Sequence, residues 1–205
     1  MNDSYINFVK EDGLIEVATS QIYFLSFIFS LIIGVQFFKQ KKILFASLYL
    51  LLSTGFFFIA FEEISWSQRI FSIETPEFFK DSVQDEMNFH NLPITNDYIN
   101  FAILLVGLVG FTLWVFFTHS NKLKDKSFTK FFVPQGFIMP YFISVIIFHE
   151  MWLFKQFLPQ SSEGLILYLF KWPDHELVEF LLSVGIFLFI ASKFLELNKK
   201  KKIKT

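Results

Sequence analysis

The chain has 205 residues, of which 53% are hydrophobic and 32 are Phe, and its mean hydropathy is +0.47. A water-soluble domain of this length must present much more polar surface than that, so a soluble globular protein is excluded. The formal net charge of −1 says nothing about partners, and the absence of Cys removes disulfides, thiolate chemistry and Cys-ligated metals.

In chain order, an acidic leader (Asp3, Glu11, Asp12, Glu16) precedes the first apolar run, Ile22–Phe38. Without a basic n-region or a small-residue cleavage site, that run reads as a span and not as a cleaved signal peptide. A second run, Ile43–Phe61, ends in the adjacent acids Glu62 and Glu63. Residues 75–91 then suggest an amphipathic surface helix, with Thr75 as N-cap and Pro76 in its first turn. In it Phe78, Phe79, Val83, Met87 and Phe89 oppose Asp81, Gln84, Asp85 and Glu86. Runs at Tyr98–Thr118, Gly136–Phe154 and Leu177–Ser192 follow, with a shorter interfacial or re-entrant segment at 163–172 and a basic tail from Lys193. A hydrocarbon core of about 30 Å needs roughly 20 helical residues, and lipid leaves no other partner for backbone polar groups. The expectation is all-α: a polytopic bundle of five transmembrane helices forming a single integral membrane domain, 1–205.

Charge sets its direction. With five crossings, 13 of the 18 Lys and Arg fall on one side, in the segments near Lys39, Lys122 and the tail, while 17 of the 19 acids fall on the other. The positive-inside rule makes the basic side cytoplasmic, so the N-terminus is expected outside and the C-terminus inside, in a bacterial inner membrane. The tail NKKKKIKT reads first as a topology anchor and second as a device for anionic lipid or a partner.

This orientation collects polar residues at the outer ends of three spans. The second ends in Glu62 and Glu63, the fourth in His149 and Glu150, and the fifth starts with Asp174, His175 and Glu176, with Glu179 a turn further in. The loop bearing Arg69, His90 and Asn91 lies on the same side. At about 100° per residue, Glu62, Trp66 and Arg69 share a face with Gly55 if the second helix continues beyond the membrane, and Asn100, Gly107 and Gly110 form a stripe on the third. His and carboxylates without Cys suit Zn or another divalent metal, and the i, i+4 pair His175 and Glu179 can present two ligands to one ion. His149 is a candidate third ligand, leaving a position for water. Glu62 and Glu63 are the candidate catalytic acid/base pair, and Trp66, Arg69, His90 and Asn91 the candidate substrate contacts. The plainer reading treats these groups as interfacial anchors, each His bonded to a neighbouring carboxylate and Arg69 to Glu62 or Glu63.

EEISWSQR (62–69), followed by TPEFF and NFHNL, resembles a signature of small, uncharacterised bacterial multi-span membrane proteins with the pattern EEISWGQR, TPEF and NLHN. Here Ser67 stands in place of Gly and Phe89 in place of Leu. The resemblance covers Phe61–Leu92 and implies membrane architecture without a mechanism. The intramembrane CAAX-type proteases and the ceramidase-like membrane hydrolases offer only architectural analogy, since their Glu-Arg and His spacings are not met here. Two functions follow from the residues. One is a metal-assisted hydrolase or transferase acting on a lipid-linked or amphipathic substrate. The other is a non-catalytic assembly or small-molecule/cation-binding subunit that docks a partner membrane protein. The bilayer is a partner in either case, and no nucleic acid is expected.

Overall fold

The computed structural model describes residues 13–80, 87–89, 92, 96–120, 126–157 and 175–202, with the side chains of 69–70, 96–97, 149–157, 175 and 200–202 outside that description. Among these residues all regular structure is helical. The longer elements are α1 (Leu14–Lys39), α2 (Ile43–Glu62), the single turn α3 (Gln68–Phe71), α4 (Asn96–His119), the short α5 (Ser127–Phe132), α6 (Met139–Phe157) and α7 (His175–Lys202). Five helical segments are long and apolar enough to cross a membrane, which makes this a multi-pass membrane protein.

Two helices outrun their apolar segments. α1 begins at Leu14 because its first turns, though polar in composition, bury Ile15, Glu16, Thr19 and Ser20 on one face. Glu16 in that first turn also suits the positive end of the helix dipole. α7 continues past Ser192 to Lys202, since the tail to that point is rich in Lys, Leu and Glu and holds no Gly or Pro, and cations are favoured near a helix C-terminus.

The expected helix over 75–91 is not formed in its described part. Thr75 is not helical, Pro76 is itself the N-cap, and only a 3-10 turn, Glu77–Phe79, follows before residues 81–86, which lie outside the described residues along with 163–172. Thr75 does not cap, because its hydroxyl is used by Gln68.

The chain forms two compact units, one of Met1–Ile15 and Asp97–Leu182, the other of Glu16–Asn96 and Ser183–Thr205. In the second, α1 and α2 make an antiparallel hairpin. Its turn is a Schellman motif: Lys42 N–H donates to Phe37 O at 3.0 Å and Lys41 N–H to Phe38 O at 2.9 Å, with Lys41 at φ 58°. The hairpin's register is held by hydroxyls, Ser53 donating to Phe27 O (3.2 Å) and Ser20 to Ala60 O (2.7 Å). A Cβ on Gly34 would lie 2.9 Å from Leu50 Cγ, so the helices meet there by virtue of its absence. The later part of α7 joins α1 through Phe29, whose ring stacks on Phe194 (4.8 Å) and approaches Phe187 (5.8 Å), and through Gln36, which donates to Asn198 (3.3 Å).

In the other unit, α4 and α6 approach through glycine. A Cβ on Gly110 would come within 2.7 Å of the Phe142 ring, and one on Gly107 within 3.1 Å of Val145. The glycine stripe expected on α4 is therefore a packing face, with Asn100 buried. Gly55 on α2 differs from expectation: it is exposed, and a Cβ there would meet nothing within 4 Å among the described residues. α5 ends at Phe132 because Val133, preceding Pro134, takes an extended conformation.

Candidate functional site

The stretch after α2 folds back on the end of its own helix. Glu62 closes α2 and Glu63 is its C-cap, donating its N–H to Ile59 O at 3.0 Å. The helix does not continue to Arg69. Ser65, Trp66 and Ser67 take positive φ of 47°, 52° and 63°, reversing the chain, and Ser72 at 50° ends α3. Runs of left-handed, non-glycine residues persist only where surrounding contacts hold them.

Those contacts are polar and buried. Trp66 Nε1 donates to Glu62 Oε1, and Phe89 N–H donates to Glu62 Oε2 at 2.7 Å. Met87 N–H donates to Gln68 Oε1 (2.6 Å) while Gln68 Nε2 donates to Thr75 Oγ1 (2.7 Å). Asn88 Nδ2 donates to Ser65 Oγ at 3.3 Å. Glu62, Glu63, Ser65, Gln68 and Asn88 are all buried. Aromatic rings surround the network: Trp66 packs against Phe58 (5.3 Å) and Phe61 (5.8 Å), and Phe89 against Phe79 (5.1 Å). A carboxylate taken out of water costs several kcal/mol unless hydrogen-bonded, and Glu62 meets that requirement with a donor on each oxygen. Glu62 and Trp66 thus come together as expected, but across a reversed turn and not along one helix face.

Glu16 is a residue that the sequence reading left in the leader. With Ser20 bonded to Ala60, one turn more along each antiparallel helix brings Glu16 and Glu63 to the same level at the same end of the hairpin. Both are buried, at 7% and 8% exposure. The signal for Glu16 was present: Glu16, Thr19, Ser20, Ser26 and Ser30 recur at helical spacing through an apolar segment, and all are buried.

In the other unit, Glu176 and Glu179 lie on the first turns of α7, both half-buried, with carboxylate oxygens within 4.8 Å. Carboxylate oxygens at that separation are near enough to ligate one cation. Glu176, three residues before Glu179, is its neighbour at the start of the helix. His149 and His175 lie on α6 and α7, with side chains outside the described residues, as is that of Arg69; His90 and Asn91 lie outside them altogether. The donor types of His149, His175, Glu176 and Glu179 fit a divalent first-row cation.

No family model, curated protein or solved structure matches the chain.

Proposed function

We propose that this protein is a membrane-embedded hydrolase or transferase working at the outer face of a bacterial inner membrane, on a lipid-linked or amphipathic substrate. Its N-terminus would lie outside and its C-terminus in the cytoplasm, as the Lys and Arg bias supports. The observation that carries the reading is the division of labour between adjacent glutamates. Both oxygens of Glu62 accept hydrogen bonds within the loop, and Glu63 is buried at the level of Glu16, which supports Glu63 as the acid/base group. Two buried carboxylates at one level supply oxygens of the kind a general acid/base uses. A divalent metal such as Zn would be held by His149, His175 and Glu179, with Glu176 beside them, and would supply Lewis acidity toward water or the substrate. Arg69, His90 and Asn91 would contact the substrate, and Trp66 would shape the wall they stand on.

The test pairs metal content with complementation. Purified protein should carry about one metal per chain, which Glu179→Gln or His149→Ala removes. Glu63→Gln should keep the metal and lose the phenotype of a complemented deletion strain. Metal-free protein, together with full complementation by Glu63→Gln and Glu179→Gln, sinks the reading. Self-satisfaction of the Glu62–Gln68–Asn88 network favours a second reading, a non-catalytic assembly or cation-binding subunit. That one predicts co-purification with another membrane protein, undisturbed by Glu63→Gln.

A further inference from the structure

A groove of about 600 Å³ runs along α1 at the end opposite Glu16, lined by Leu31, Ile32, Val35, Gln36, Lys39 and Gln40. Its floor and its rim differ in chemistry. Leu31, Ile32 and Val35 are exposed aliphatic side chains in the span, suited to a hydrocarbon chain. Gln36 opens the rim beside Val35, and Lys39 and Gln40 lie at the helix end, Lys39 one to two turns beyond Val35 and Leu31, roughly 6–12 Å at 1.5 Å per residue. The rim is also cationic in its setting, because Lys41 and Lys42 follow in the Schellman turn. Gln36 is held in place by its bond to Asn198 of α7, so part of the rim is preformed.

We propose that this groove is a binding site for one anionic phospholipid, its phosphate at Lys39 and Gln40 and an acyl chain along Val35 and Leu31. Charge complementarity selects the occupant. The span places Lys39 at headgroup depth, where an ammonium group gains by meeting a lipid phosphate, and the aliphatic floor continues inward in the direction an acyl chain takes. A soluble phosphate would use the rim and leave the floor idle. The site is independent of the acidic end of the hairpin and of the chemistry proposed there.

Native mass spectrometry of the full chain in detergent, with phosphatidylglycerol or phosphatidylcholine of matched chains, tests it. The expected result is one tight phosphatidylglycerol adduct, with at least fivefold less phosphatidylcholine bound. Lys39→Gln should cut the adduct at least fivefold, and Lys41→Gln, outside the groove, less than twofold. Leu31→Ser with Val35→Ser, on exposed positions that keep every cation, should cut it similarly while leaving helicity by circular dichroism unchanged. Equal losses from Lys39→Gln and Lys41→Gln would mean diffuse attraction and overturn the site. So would full retention by the double serine variant, or displacement of the lipid by millimolar glycerol phosphate, which would identify a soluble-phosphate site.

Discussion

Ser67 holds φ at 63° as the last of three successive left-handed residues, and it is the position at which the resembled signature carries Gly. A non-glycine residue in this region costs about 1–2 kcal/mol, which glycine avoids, though glycine gives back some of the gain through the greater freedom of its unfolded chain. Ser67→Gly is therefore expected to stabilise the protein by roughly 0.5–1 kcal/mol, read as a rise in melting temperature in detergent. The adjacent glutamates should separate cleanly. Glu62→Ala takes from Phe89 N–H and Trp66 Nε1 this acceptor inside an aromatic shell, and should cost about 2–6 kcal/mol with a change in Trp emission. Glu63→Gln, which keeps the shape of the side chain, should fold and fail in complementation instead. Equal destabilisation by both changes would refute the division of roles.

The helices pack by different devices. In the α1–α2 hairpin, serine hydroxyls reach across to backbone carbonyls and Gly34 admits Leu50; between α4 and α6, glycine faces an aromatic ring. Gly110→Ala should cost about 1–3 kcal/mol, because the Phe142 ring must move to admit the methyl group. Gly55→Ala is the control: with nothing near its added Cβ among the described residues, it should be neutral or stabilise by up to about 1 kcal/mol through helix propensity. Sequence alone does not distinguish these glycines, since both sit on stripes of small or polar residues. Only the identity of the facing helix shows which glycine is covered. Thr75 teaches the same lesson about caps. A Thr-Pro pair suits a helix start, yet the Gln68 amide takes the Thr75 hydroxyl and the turn begins one residue later.

For the whole molecule, the Lys and Arg bias makes a prediction that the Cys-free chain is well suited to test. In intact cells an impermeant maleimide should label Ile73→Cys, an exposed loop residue, and spare Lys199→Cys; permeabilised cells should label both. The reverse pattern would place the acidic loop in the cytoplasm and remove the outer-face setting of the proposed chemistry.

Composition and run length were sufficient to determine helical class and five membrane-crossing segments, because hydrocarbon admits apolar side chains and self-satisfied backbone whatever the neighbours are. They also singled out Glu62, Glu63 and Trp66 as residues with work to do. Which work was decided by tertiary structure. A buried carboxylate needs donors, and for Glu62 they include Trp66, across a reversed turn, and Phe89, well along the chain. Likewise Glu16 joined the level of Glu63 only when Ser20 bonded to Ala60 and set the register of two helices. Burial and register belong to pairs of segments, so they cannot be read from either segment alone.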